Sequence, residues 1–276
     1  MDTLSRAGDF LATQGRDVER ALFEHHFGSL SLDGILDVLA RYQNKDGGFG
    51  RRLEVDIQAD ASNPFATELA LVLFRECAVP RDHPIVRRTV ECLERTQDEA
   101  GDWRLTPEIY AGELAPWFRG WEFPNLNPGC TTAGLLRDLG LGSPRLHERA
   151  EALFQRLKRL SAVAEGDFYG VRPYALYFAT DWSHPERELW RSGVLWWHIR
   201  QHIAGRVADN GHFFEYVRGP DTYLGRGLPK EILDQRLDGL LAEQAEDGGW
   251  PTPYSPKWRS WATAQNLLVL KTFGRV

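Results

Sequence analysis

A short phrase recurs along this chain and constrains its fold more than any other feature. It appears as Gln43-Asn-Lys-Asp-Gly47-Gly-Phe49, as Gln97-Asp-Glu-Ala-Gly101-Asp-Trp103 and as Gln244-Ala-Glu-Asp-Gly248-Gly-Trp250. Each copy reads Gln, three residues, Gly, one residue, aromatic. Two weaker copies, Gly166-Asp-Phe168 and Gly211-His-Phe213, keep only the Gly-x-aromatic part. The five glycines are separated by 54, 65, 45 and 37 residues. Such intervals suit a repeated helical hairpin and are too long for successive strands of a sandwich.

The flanks agree. Helical periodicity precedes the phrases in Leu32 to Tyr42, Pro84 to Thr96, Arg145 to Leu160, Glu186 to Ile203 and Lys230 to Gln244. Asn63-Pro64 is a helix start, with Asn as cap and Pro at the first helical position, and opens Phe65 to Phe74. Trp261 to Phe273 reads as a last helix that stops at Gly274. Within a phrase the Gly supplies the positive φ that ends one helix, and the aromatic folds back. The Gln amide then bonds freed backbone groups, so the phrase clamps one helix to the next.

Composition sets the outer limits. The chain has 276 residues, 42% hydrophobic and 26% charged, enough to bury a full core in a single domain over residues 1–276. A net charge of −6 with no basic stripe gives no support for nucleic-acid binding. The longest apolar run, Leu69 to Phe74, is far below the roughly 20 residues of a membrane span. Three scattered cysteines, Cys77, Cys92 and Cys130, and a polar N-terminal stretch favour a reducing cytoplasm over secretion. Oligomeric state is not legible. The unusual figure is ten Trp, fourteen Phe and eight Tyr against one Met.

The Gln-x-x-x-Gly-x-Trp/Phe phrase resembles the QW-type repeat of squalene and oxidosqualene cyclases, and related helical hairpins occur in the β-subunits of protein prenyltransferases. The stretch from Asp46-Gly-Gly-Phe-Gly50 through Glu54-Val-Asp56 and Asp60-Ala-Ser62 to Thr67 is similar to short stand-alone bacterial toroid proteins. The resemblance covers about residues 30 to 276. It implies an all-α fold, an (α/α) toroid of five or six hairpins with inner helices around a central cavity. The loop after each phrase would then lead to the N-terminus of an inner helix. Glu54 to Asn63, Asn125 to Thr132, Gly170 to Tyr174, His212 to Tyr216 and Tyr254 to Trp261 would meet at one mouth.

Protonation-initiated cyclases carry a DxDD acid. Here the matching acids read Glu54-Val-Asp56-Ile-Gln-Ala-Asp60, a departure that leaves Asp56 and Asp60 as the candidate catalytic groups. Such an acid must be held neutral, whereas a helix N-terminus favours the carboxylate, so burial or a second acid would have to act. Phe65, Trp117, Trp121, Tyr174, Tyr177, His212, Trp258 and Trp261 are the candidate substrate-binding residues. Rings there could stabilise a carbocation at roughly 0.5–2 kcal/mol each. Arg51, Arg52, Arg172 and Arg259 could form a diphosphate clamp if they point inward. His198 and His202, at i and i+4, have usable metal spacing but no third ligand nearby, and His25, His26 and Cys130 complete no motif. Neither Mg²⁺ nor Zn²⁺ is therefore expected as a cofactor.

These readings favour a terpenoid-cyclase-like protein that takes a small apolar or isoprenoid-derived molecule, with isomerase or lyase chemistry. Two alternatives stand beside it. One is a carbohydrate-active helical barrel using Asp60, Glu215, His212 and Tyr216. The other is a non-catalytic binding toroid that has kept its fasteners alone.

Overall fold

The computed structural model describes residues 2–206 and 210–276. Among them the regular structure is helical, with only isolated bridges at Gln43–Phe49 and Ile57–Leu114. None of these helices is long and apolar enough to cross a membrane. The chain divides into two compact units, Met1–Ile35 with Arg191–Val276, and Leu36–Trp190.

The chain opens with α1 (Thr3–Gln14), α2 (Asp17–Phe27) and α3 (Leu32–Ala40). The second unit continues with α4 (Pro64–Glu76), α5 (Pro84–Thr96), the short α6 (Pro107–Ala111) and α7 (Pro116–Arg119), then α8 (Leu126–Leu139), α9 (Pro144–Leu157), α10 (Leu160–Glu165) and α11 (Phe168–Tyr177). The helix α12 (Arg187–Ile203) leads back to the first unit. There α13 (Asn210–Tyr216), α14 (Tyr223–Gly227), α15 (Lys230–Ala242), a 3₁₀ turn (Pro256–Trp258) and α16 (Arg259–Thr272) follow. The helical stretches read from periodicity are present with ends shifted by a few residues at most.

Each unit has buried helices and flanking ones. In the second unit α8 packs between α4 and α11, and all three are buried along most of their length. The amphipathic α5 and α9 keep one wet face, α9 packing on α8. In the first unit α16 is the buried helix, packed against α1, α2 and α13.

The three full phrases are built alike. Gln43 Nε2 donates to Gly47 O and to Ile85 O in the first turn of α5, both at 3.0 Å. Gln97 Nε2 donates to Gly101 O at 3.3 Å and to Leu146 O in the first turn of α9 at 3.1 Å. Gln244 Nε2 donates to Gly248 O and to Thr3 O at the start of α1, both at 2.9 Å. Thus the last phrase of the chain fastens onto its first helix, inside the first unit. Each phrase glycine has a positive φ, +91°, +86° and +89° in turn. A Cβ on it would lie 2.1–2.2 Å from the carbonyl oxygen three residues beyond the one the Gln holds, at Arg88, Arg149 and Arg6. The tryptophans then fold back, Trp103 Nε1 onto Leu93 O at 2.9 Å and Trp250 Nε1 onto Leu240 O at 2.7 Å.

The two weaker copies do not share this build. Gly166 caps α10 with φ −65°, and Gly211 lies inside α13. Without the Gln there is no amide to bridge two carbonyls, so Gly-x-aromatic alone does not make the clamp.

The phrase glycines thus face two penalties at once, an unfavourable φ and a backbone atom in the way. Gly248→Ala should lower the unfolding free energy by about 3 kcal/mol or more in urea denaturation. Gly274→Ala is the control: Gly274 has φ +68° with nothing within 4 Å of a Cβ, and the loss there should be about 1 kcal/mol.

Candidate functional site

The site is best seen through a repeated helix start in which one copy departs. In α4, Asn63 Oδ1 accepts the Ala66 N–H at 2.8 Å. One turn on, Thr67 Oγ1 donates to Asn63 O at 2.8 Å and accepts the Phe49 N–H of the preceding phrase at 3.1 Å. The same threonine recurs in α16, where Thr263 Oγ1 donates to Arg259 O at 2.8 Å and accepts the Trp250 N–H at 3.0 Å. In these two phrases the threonine ties the aromatic to the buried helix that follows.

In α8 the arrangement changes. Asn127-Pro128 repeats the Asn63-Pro64 start, with Asn127 in an extended conformation and Thr131 in the place of Thr67. The Trp103 N–H, however, donates to Asp102 Oδ1 at 2.8 Å, and Asp102 Oδ2 accepts the Asn125 N–H at 2.7 Å. Thr131 is released from fastening. Its nearest acceptor is Glu68 Oε2 of α4 at 2.6 Å, with Pro128 O at 2.9 Å and Asn127 Oδ1 at 3.2 Å. Arg172 of α11 pairs with Glu68 Oε1 and donates to Asn127 Oδ1 at 3.3 Å. Three buried helices are thereby joined through a carboxylate, a hydroxyl, an amide and a guanidinium, each in the first two turns of its helix.

Glu68 is 3% exposed, so its charge must be matched in place. Arg172 supplies the match, and the cluster is formally neutral. The first unit holds a partial analogue: Glu19 of α2 accepts Ser260 Oγ from α16 at 3.2 Å. Glu19 is otherwise satisfied locally, by the Arg16 N–H at 3.1 Å and the Arg16 side chain, as a helix cap.

Beside the cluster in the second unit lies an aromatic group. The Phe65 ring is 4.6 Å from Phe118 and 5.1 Å from Trp121 between centroids. The Trp121 indole donates to Asn127 O at 3.1 Å. Ile57, Leu105, Ile109 and Leu114 complete a small apolar core. It forms because segment 104–125 lies over segment 51–62, stitched by Ala115 N–H to Asp56 O at 2.9 Å and Gln58 N–H to Glu113 O at 3.0 Å. Asp56 is half-buried in that seam and Asp60 is exposed. The Asp60 carbonyl accepts from Asn44 Nδ2 at 2.8 Å and from Arg51 N at 3.2 Å.

Of the aromatic residues read from sequence, Phe65 and Trp121 are brought together here, and Trp117 stands 48% exposed. Tyr174 and Tyr177 go elsewhere, into a packed group of rings. Tyr174 stacks on Trp190 at 4.8 Å and Tyr177 on Phe154 at 5.1 Å. Their hydroxyls are used structurally, Tyr177 donating to Glu151 and Tyr174 accepting the Arg159 N–H, both at 2.8 Å. In the first unit His212 meets Tyr254 at 5.2 Å, and Trp258 lies 6.5 Å from Trp261.

Three of the arginines considered for a clamp have partners of their own. Arg51 donates to Arg41 O and Asn44, Arg172 pairs with Glu68, and Arg259 pairs with Asp247 at 2.8 Å. Burial, then the charge of Arg236, pushes His198 down to about 3, while His202 Nδ1 accepts from Arg236 Nε at 3.2 Å. Burial also pushes the Cys130 thiol well above its usual range.

Sequence reasoning missed Glu68, Thr131, Asn127 and Asp102 as a set. The signal was present: Asn-Pro-x-x-Thr occurs at both 63–67 and 127–131, and Glu68 interrupts an apolar helix.

No family model and no curated protein matches this sequence. A crystal structure of a protein from Actinoplanes is similar in fold, with a TM-score of 0.60 and 16% identity over 98% of each chain.

Asp102 is fully buried, and burial raises its carboxyl to about 7 against the opposing pull of the Asn125 and Trp103 N–H groups. A carboxyl raised on folding favours the protonated chain, so its contribution is fullest below the ordinary value of 3.8 and is lost as pH climbs to about 7. The stability of the wild type relative to Asp102→Asn should fall across that window and be level above it, as read by denaturation at a series of pH values.

Proposed function

We propose that this chain is an (α/α) toroid of helical hairpins that takes a small apolar or isoprenoid-derived molecule among its buried helices, with terpenoid-cyclase-like acid chemistry. The observation that carries the reading is the Phe65–Phe118–Trp121 group beside the Glu68–Thr131–Arg172–Asn127 cluster, at the starts of buried helices. The hairpin architecture is supported by the alternation of buried and flanking helices, and by the fastening of the Gln244 phrase onto α1.

In this reading Asp56 is a better proton donor than Asp60. It sits half-buried under segment 104–125, and a donor to an alkene needs a desolvated carboxyl. The acid gives its proton to an alkene carbon, whose π electrons form the new C–H bond. The carbocation left behind closes onto a second alkene, and a different proton then leaves the carbon skeleton and returns to the carboxylate. Phe65 and Trp121 would shield that cation by their ring faces.

A second reading, binding without catalysis, is favoured by the pairing of Glu68. A carboxylate matched by Arg172 and Thr131 anchors a ligand without initiating chemistry.

Incubation in D₂O with linear isoprenoids and their diphosphates separates the two. Acid-initiated cyclisation should yield a cyclic product carrying one new deuteron, lost in a folded Asp56→Asn variant. Ligand retention without any deuterated product would leave binding alone.

A further inference from the structure

We infer that the Glu68–Thr131–Arg172–Asn127 cluster is the polar anchor for that molecule, and that it selects a neutral hydroxyl-bearing end, an alcohol, over a phosphate. This rests on the apolar-ligand reading above and names the chemistry of its polar terminus.

The departure of the second repeat is the first support. Thr67 and Thr263 both serve to fasten a phrase aromatic, whereas Thr131, in the same place, does not. A buried carboxyl, Asp102, has taken over that task. The exchange replaces one neutral bond with a costly buried acid, and its result is a hydroxyl directed at Glu68.

Charge is the second support. The Arg172 guanidinium is cancelled by Glu68, and Arg259 by Asp247. A diphosphate brought to this cluster would have to displace the carboxylate from its guanidinium and lie beside it, a like-charge contact in a poorly solvated place. An alcohol meets neither cost, because it can accept from a guanidinium and donate to a carboxylate or amide oxygen at once.

Position is the third. The Arg172 side chain retains 13% exposure, so the cluster reaches solvent at one edge. The Trp121 indole is bonded to the same Asn127 whose amide belongs to the cluster, which sets an apolar wall against the polar end. In the same two helix starts, Asn63 Nδ2 and Thr132 Oγ1 are buried with no hydrogen-bond partner. Unmet polar atoms are uncommon in a region meant only to pack.

The test is calorimetric titration with three C15 isoprenoids: a primary alcohol, its diphosphate and the matching hydrocarbon. The alcohol should bind at least tenfold more tightly than either of the others. Thr131→Val keeps the side-chain shape and the ion pair, and should cost the alcohol about tenfold while leaving the hydrocarbon unchanged. Glu68→Gln leaves Arg172 uncancelled and should shift preference toward the diphosphate. If Glu68→Gln does not fold, Thr131→Val decides by itself. Equal or tighter binding of the diphosphate by the wild type would overturn the inference, as would an equal effect of Thr131→Val on alcohol and hydrocarbon. A hydrocarbon that binds as well as the alcohol removes the anchor but keeps the apolar-ligand reading. Binding of none of the three removes both.

Discussion

A glutamine amide that bridges two backbone carbonyls is the interaction on which the rest of this fold depends. One carbonyl belongs to the glycine of its own phrase and the other to the first turn of a flanking helix. Losing the amide would leave the buried carbonyl of the phrase glycine without that donor, at about 1–3 kcal/mol, while the flanking-helix carbonyl keeps its helical partner. The glycine then lets two backbones approach more closely than any side chain allows. Bond and contact occupy adjacent turns of the same flanking helix, which fixes both its position and its rotation.

The same regularity makes departures from it informative. Phe49 and Trp250 give their backbone N–H groups to a threonine of the following helix, and Trp103 gives its own to Asp102. Asp102 occupies the place of the second glycine in the other phrases, Gly48 and Gly249. The buried acid is stabilised by two N–H groups and opposed by desolvation. Its elevated carboxyl marks it as an expensive residue for a fastener. What the change releases is Thr131, and through it the link between α4, α8 and α11.

Much of the fold was legible because clamp and periodicity are both local signals. Leu32 to Tyr42, Pro84 to Thr96 and Lys230 to Gln244 declared their helices by spacing, and Gln-x-x-x-Gly-x-aromatic declared the joints. Gly166-Asp-Phe168 and Gly211-His-Phe213 misled because the aromatic and glycine were weighed without the glutamine that makes the bond. The site was far less legible. Glu68 and Arg172 are 104 residues apart, and a long-range ion pair leaves no periodicity. Tyr174 and Tyr177 carried the right chemistry for a ligand wall, but their rings turn toward Phe154 and Trp190. Helix rotation decided that, and it depends on the packing of α8 against α11.

If the phrases are the fasteners of the fold, their backbone N–H groups should open only when the whole unit unfolds. The measurement is native-state hydrogen exchange, resolved by residue, at the amides of Phe49, Trp103 and Trp250. The account predicts opening free energies equal to that of global unfolding at all three, including Trp103 with its different acceptor. Exchange at Phe49 and Trp250 as fast as in an exposed loop would contradict it, because the joints would then be consequences of helix packing and not its cause.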